Sequence, residues 1–391
     1  MRVWVIRLLA VALCLCLAVP VLAADQGESV WAKYNMKIWG RVKFDAQYDT
    51  SQFVKYNDFL GVPADSKKTS DFDNDSANFN PRDTRLGFAA MHAVGDWAGK
   101  GVVEIDFYGT NAGDNLIPRM RLGYADLANK ASGTSVRVGQ DWTPVQSLNP
   151  STIDFGILSA SGNLWWRRPQ VTVRQNVDIG DAGGLQLLAS AMLARRQSTS
   201  SKTRMPWALG RAAYSFDLWG GKHMLALDGG YQHDKDSNTH NTINRWLVGG
   251  EFKFNFSPLL VKGEVWTGKG IGGDFLRYDL DKYEDKADSR NVWEAWGGWI
   301  DATYKLLPQW SITAGVGIDD PDDSQYERDT GNLDRKFTRN ITFYTNTWWS
   351  LAKDVKVGFE WLNLTATRKK VNRHHYDDMG NRFTLSLYYG F

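Results

Sequence analysis

The chain has 391 residues, with 46 lysines and arginines against 44 aspartates and glutamates, so it lacks the global cationic excess that nucleic-acid binding needs. Its two cysteines, Cys14 and Cys16, both fall in an N-terminal apolar stretch, which excludes a disulfide, a cysteine-ligated metal or a catalytic thiol from the remainder. Beyond that stretch no run of about 18 apolar residues occurs and the mean hydropathy is −0.41, which excludes a membrane-spanning helix.

In chain order, Arg2 and Arg7 precede an apolar run from Leu8 to Leu22, and Val21-Leu22-Ala23 has the small-residue spacing a signal peptidase reads. This predicts a signal peptide over 1–23, an exported mature domain over 24–391, and cleavage after Ala23 or Ala24. Removing Arg2 and Arg7 from 46 basic residues leaves 44, equal to the 44 acidic ones, so the mature charge is formally zero. The positions of the charges then matter more than their sum.

From Lys37 to Tyr48 the sequence alternates strictly. Ile38, Gly40, Val42, Phe44, Ala46 and Tyr48 share one face; Lys37, Arg41, Lys43, Asp45 and Gln47 share the other. A strand of about twelve residues with one apolar and one charged side suits a tilted membrane crossing, and halved hydrophobicity hides such strands from hydropathy scans. The rhythm recurs at Arg85 to His92, Val102 to Tyr108, Arg119 to Leu127, Ser135 to Gln140, Trp166 to Asp178, Leu185 to Arg195 and Ala208 to Phe216. It continues at His223 to His233, Asn244 to Phe256, Leu260 to Trp266, Val292 to Lys305, Ser311 to Ile318, Ile341 to Ser350, Val355 to Thr367 and Asn381 to Phe391. The expected fold is all-β: a transmembrane antiparallel up-and-down β-barrel of about sixteen strands.

Connections alternate in length. Short ones (Val94 to Lys100, Asp217 to Lys222, Ser257 to Pro258, Leu306 to Trp310, Leu351 to Asp354) are expected on the periplasmic side. Long polar ones (Asp49 to Pro81, Gln140 to Leu164, Thr267 to Asn291, Asp319 to Arg339, Arg368 to Gly380) are expected outside. Trp246, Trp293, Trp296, Trp299, Trp310, Trp348, Trp349 and Trp361 fall on or beside predicted strands; some are expected to be ordinary wall residues, but as a set they suit interfacial girdles. The last strand places Phe383, Leu385, Leu387, Tyr389 and Phe391 on one side, and Tyr389 and Phe391 are expected to act as the signal read by the barrel-assembly machinery.

A barrel of this size is too wide for side chains to fill and encloses an aqueous channel. Polar parity places Lys37, Arg41, Lys43, Arg85, Arg119, Arg121, Arg137, Arg168 and Arg174 inside as the anion-attracting set, with Arg211, Arg245, Lys253, Lys262, Lys356 and Arg382 also inward. Only Asp45, Glu104, Asp106, Asp228, Glu251, Glu264 and Glu360 are placed against them, which predicts a cationic pore. The third extracellular loop, Gln140 to Leu164, between strands five and six, carries Asp141 and Asp154 but little other charge. It is expected to fold inward as a constriction, its two carboxylates facing the arginine wall of Arg119, Arg121, Arg137, Arg168 and Arg174.

Other motifs are weak. Gly268 to Gly273 matches G-x-G-x-x-G but leads from a strand into a polar loop, without a helix. The acidic runs Asp71 to Asp75 and Asp319 to Asp323 lack the glycine and distal glutamate of an EF-hand, and His374-His375-Tyr376-Asp377-Asp378 is a minor candidate for a surface metal. No G-x-S-x-G occurs, and the six histidines are scattered, so the reading is of a non-enzyme with neither a cofactor nor a resident metal.

The chain resembles the porins, and more narrowly the DcaP-like porins. The resemblance rests on Ile38-Trp39-Gly40-Arg41-Val42-Lys43-Phe44-Asp45-Ala46-Gln47-Tyr48-Asp49, Asp83-Thr84-Arg85-Leu86-Gly87-Phe88, Glu104-Ile105-Asp106-Phe107-Tyr108-Gly109, Met120-Arg121-Leu122-Gly123-Tyr124, Val138-Gly139-Gln140-Asp141-Trp142-Thr143 and Arg167-Arg168-Pro169-Gln170-Val171. It covers roughly the first half of the mature chain. It implies a homotrimer of sixteen-stranded barrels in the outer membrane of a Gram-negative bacterium, surrounded by lipid and lipopolysaccharide and taking up small organic anions such as dicarboxylates. The family can carry an N-terminal coiled-coil extension, whereas here about a dozen residues separate Ala24 from the first strand. The competing reading is an unselective general diffusion porin.

Overall fold

The computed structural model describes residues 34–53, 62–67, 72–109, 116–194, 205–235, 242–272, 274–275, 293–322, 337–369 and 375–391. The predicted signal peptide, Asp71, Arg195, His240, Gly273, Val292, Asp323 and His374 lie outside them. Seventeen strands form a single antiparallel sheet: β1 (Asn35–Asp49), β2 (Ser76–Asn80), β3 (Arg85–Val94), β4 (Trp97–Asp106), β5 (Arg119–Asn129), β6 (Thr134–Trp142), β7 (Arg167–Asp178), β8 (Gly184–Met192), β9 (Trp207–Leu218), β10 (Gly221–Lys235), β11 (Thr242–Phe256), β12 (Leu259–Lys269), β13 (Glu294–Leu307), β14 (Trp310–Pro321), β15 (Phe337–Ala352), β16 (Val355–Lys369) and β17 (His375–Gly390). The sheet closes on itself. β1 pairs with β17 from Arg41 opposite Gly390 to Asp49 opposite Arg382, which leaves no edge to template aggregation.

β2 and β3 both pair with β1 and are two halves of one wall strand, so the wall has the expected sixteen. Arg41 lies opposite Arg85 and Asp45 opposite Asn80, so three residues of β1 are matched by the four at 81–84. The extra residue breaks the ladder and turns Asp83 inward, the usual effect of a bulge. Simple alternation missed β2, because it sits in a polar segment that reads as loop. It also started two strands late: Trp97 to Lys100 belongs to β4 rather than to a turn, and β17 begins at His375.

The wall inverts the usual burial pattern. Ile38, Val42, Phe44, Tyr48, Leu385, Leu387 and Tyr389 are exposed on the outer face, whereas Lys43, Asp45, Gln47, Asp49, Arg382, Thr384 and Ser386 are buried on the inner one. Lipid covers the first set, and neighbouring wall side chains with the connection from β6 to β7 cover the second. The tryptophans divide on this basis. Trp296 and Trp349 are exposed outside, and Trp310 stacks on Trp349. Trp299 points inward, donating Nε1–H to Glu264 at 2.9 Å, and Trp293 is buried. Strand parity, not residue type, decides which side an indole takes.

The apolar core lies inside the barrel, between the wall and the connection from β6 to β7. Val145 and Leu164 of that connection join Met192, Trp207, Leu209, Leu247 and Trp266; Leu158 joins Trp299, Tyr344, Leu362 and Leu364. The expectation that the third extracellular loop folds inward is met.

Candidate channel constriction

The inward connection, residues 143–166, is poor in side-chain charge, so its backbone amides need acceptors once it leaves water. The wall supplies them in sequence. Gln146 N–H donates to Asp228 of β10 at 3.0 Å, the Ser147 hydroxyl to Glu251 of β11 at 2.8 Å, and Leu148 N–H to Glu264 of β12 at 2.6 Å. Ser151 N–H donates to Asp301 of β13 at 2.6 Å, and Ile153 and Asp154 N–H both donate to Glu360 of β16 at 2.6 and 2.7 Å. Charge-assisted bonds of this kind contribute about 1.5–3 kcal/mol each. The carboxylates of β10 to β16 are therefore used to hold a loop.

The tip of the loop is fixed by the closing strands. Asp154 accepts from Arg382 at 3.1 Å and from Gln47 at 3.1 Å, and Lys43 Nζ donates to the Ile153 carbonyl at 2.8 Å. Arg382 also makes a two-point bond to Asp49 at 2.7 Å. The loop then turns back. The Ser161 hydroxyl meets Thr342 at 2.7 Å, and the Gly162 carbonyl accepts from Trp266 at 2.7 Å. Gly162 has φ +91°, and a Cβ there would stand 2.2 Å from the Gly298 carbonyl, so only glycine lets the loop backbone lie on the wall. Gln146, Ile157 and Leu158 also have positive φ without being glycine, conformations that persist only where surrounding contacts over-determine them.

The other wall, β1 to β7, is basic. Asp83 gathers Arg41 at 2.6 Å, Arg85 at 2.9 Å and Lys43 at 3.4 Å. Asp106 binds Arg119 and Arg121, each at 2.8 Å, and Arg121 reaches Glu104 at 2.7 Å. Arg137 binds Asp126 and, at 2.6 Å, Asp141, which also lies 4.0 Å from Arg174. An aromatic seam crosses this wall. Phe155 stacks on Tyr108 with centroids 4.1 Å apart, with Arg85, Arg119 and Arg121 5.9, 5.7 and 5.8 Å from its ring. Arg167 lies 5.0 Å from the Trp142 ring and 5.7 Å from that of Trp165.

These cations differ in access to the channel. The side chains of Arg119, Arg41, Arg85, Arg137 and Arg174 are 31, 23, 20, 20 and 18 % exposed, against 4 % for Lys43 and 1 % for Arg121. Lys43 and Arg121 are wall ties, and the other five still meet water. Lys37 shares the inward face of β1, opposite Ala89, but lies exposed toward the mouth. Arg168 lies on β7 opposite Asp141, its guanidinium 5.0 Å from the Trp166 ring.

Two expectations about the loop are corrected. Asp141 belongs to the end of β6, where it does meet Arg137 and Arg174; Asp154 is in the loop but faces Arg382, Lys43's neighbourhood and Gln47 instead of the arginine wall. The expected imbalance of charge also narrows. Asp49, Asp83, Asp126, Asp301 and Asp378 are inward carboxylates absent from the predicted set. Asp83 comes from the bulge at 81–84. Asp126 comes from a second register shift, where Glu104 pairs with Leu122 but Ile105 with Met120, so that Arg121 is the extra residue and both Arg119 and Asp126 reach the inside. Asp49 was at the boundary of the first predicted strand, and Asp301 was within range of the parity rule.

The comparisons agree with this architecture. The outer-membrane channel DcaP of Acinetobacter baumannii aligns with 95% of this chain and 100% of its own, at 24% identity and a TM-score of 0.74. An anion-selective porin from Comamonas acidovorans aligns with 92% of this chain and 100% of its own, at 12% identity and a TM-score of 0.60. The trimer form of in-vitro folded OmpT, an outer-membrane protein of Vibrio cholerae, aligns with 92% of this chain and 100% of its own, at 13% identity and a TM-score of 0.58. No family profile and no curated protein matches. The fold is that of a bacterial outer-membrane porin barrel.

Proposed function

We propose that this chain is an outer-membrane porin through which small solutes diffuse passively, that it favours small organic anions such as dicarboxylates, and that it works as a homotrimer. The observation that carries the anion preference is the division of labour between the walls. Asp228, Glu264, Asp301 and Glu360 of β10 to β16 accept from amides of the inward loop, whereas Arg41, Arg85, Arg119, Arg137 and Arg174 keep part of their surface toward the channel. On the basic wall, Arg41, Lys43, Arg85, Arg119, Arg121, Arg137, Arg167, Arg168 and Arg174 outnumber Asp45, Asp83, Glu104, Asp106, Asp126 and Asp141, with Asp49 held separately by Arg382. A surplus of cations in a low-dielectric throat raises the local anion concentration.

The pairing of most of those cations favours a second reading, an unselective diffusion porin. The reversal potential of purified channels in a planar bilayer under a salt gradient separates the two. Anion preference supports the first, a potential near zero the second, and cation preference sinks the first. Hydrolytic chemistry has no support among the described residues, where His92 lies on β3, His223 and His233 at opposite ends of β10, and His375 at the start of β17.

A further inference from the structure

Below the constriction, on the side of the short turns, the inner wall of β13 to β17 carries a cavity of about 460 Å³ that the loop does not enter. Trp348, Tyr388, Lys305, Lys356 and Ser311 line it, and no carboxylate does among the described residues. Its volume is within the range of small-molecule sites. Trp348 faces Gly358 across β15 and β16, and a Cβ on Gly358 would stand 2.7 Å from the indole, so the missing side chain lets the ring lie on the wall. Tyr388 meets that indole edge-on, with centroids 6.3 Å apart and planes at 76°. Lys356 Nζ lies 5.9 Å from the Tyr388 ring, and the Arg41 guanidinium lies 5.8 Å from it. Lys305 pairs with Ser311, which pairs with Trp348, completing the rim.

We infer that this cavity is a second solute subsite at the periplasmic mouth, built for a planar, ring-bearing carboxylate. The indole offers a flat apolar face, the phenol an edge, and two ammonium groups without a carboxylate partner in the lining offer the counter-charge. Because Arg41 touches both Tyr388 and Asp83, the subsite is continuous with the basic wall above it. A solute leaving the constriction is handed from guanidinium groups to the shelf before release. The inference rests on the reading of the chain as a solute channel, but not on its overall ion preference.

The test is current-fluctuation recording on single channels of known orientation, with benzoate or cyclohexanecarboxylate added to one side at a time. Benzoate added from the periplasmic side should interrupt the current more often and for longer than cyclohexanecarboxylate. Replacing Lys305→Gln together with Lys356→Gln should lower the periplasmic-side association rate by about threefold or more, while the extracellular-side rate stays within about a factor of two. Trp348→Leu should erase the difference between the two acids. Should that variant fail to assemble, the two lysine changes at the water-facing rim keep the question open to measurement. Equal rates in the wild-type and double-lysine channels, or no dependence on ring planarity, overturns the subsite. A cation-preferring reversal potential in the wild type would instead overturn the anion reading above, so the two failures are distinguishable.

Discussion

The two halves of the inner wall carry similar chemistry and use it differently. On β10 to β16, Asp228, Glu251, Glu264, Asp301 and Glu360 face backbone amides or a hydroxyl of the inward loop, and they are buried by it. On β1 to β7, Asp83, Asp106 and Asp141 face guanidinium groups that remain partly in water. A carboxylate is thus a structural acceptor on one wall and a tuning group on the other. The difference follows from what comes within reach: an uncharged loop with unpaired N–H groups, or a neighbouring strand with arginines.

The comparison breaks most severely at the joint between the walls. Arg382→Met leaves Asp49 and Asp154 buried without their common cation, and uncompensated buried charge costs about 3–5 kcal/mol. We expect the yield of folded barrel and the denaturant midpoint to fall sharply; a wild-type midpoint would show that the joint is not stabilising. Next is the loop itself. Glu360→Ala removes the acceptor for Ile153, Asp154 and the Asn346 side chain, a loss of about 2–4 kcal/mol, and frees the tip. Single-channel conductance and open-channel noise should both rise, and an unchanged noise spectrum would mean that the ladder is redundant.

Deleting Phe391 comes third. Its backbone exchanges bonds with Gly40 at 2.9 and 3.1 Å, so its loss opens the closing seam at about 1 kcal/mol per bond. Assembly yield should drop more than the conductance of the channels that do form. On the basic wall, Arg119→Gln with Arg174→Gln should move the reversal potential toward zero with little change in stability, because both side chains are partly exposed and Arg121 still satisfies Asp106. Arg121→Gln should instead lower stability, since that guanidinium is buried between Glu104 and Asp106. The smallest effect is expected from Lys37→Gln at the exposed mouth, where solvent screens the charge; a shift as large as that of the Arg119 and Arg174 pair would place the selectivity filter at the mouth rather than at the constriction.

Much of the wall was legible because alternation at a period of two survives in every strand that lipid bathes on one side. Lys43, Arg85, Arg119, Arg121 and Arg137 were assigned inward for that reason alone. Parity fails where the ladder shifts register and where a strand runs past its alternating stretch, and two such shifts affect the basic wall. One extra residue in β5 reverses parity along that strand and conceals Asp126, while Asp83 lies in the bulge just ahead of the predicted strand from Arg85; both offset part of the arginine charge. The loop could be recognised by its poverty in charge, but not its route. Asp154 could not be paired with Arg382 from sequence, because 228 positions separate them and only barrel closure brings them together.

By itself, then, the sequence determined an antiparallel barrel, the side of the wall taken by most charges, and an inward third loop, since each depends on local periodicity or composition. The tertiary structure alone decided which charges reach the channel. Burial, bulges and barrel closure are non-local, and they turn an apparent excess of free arginines into two unlike walls, one holding a loop and one facing the solute.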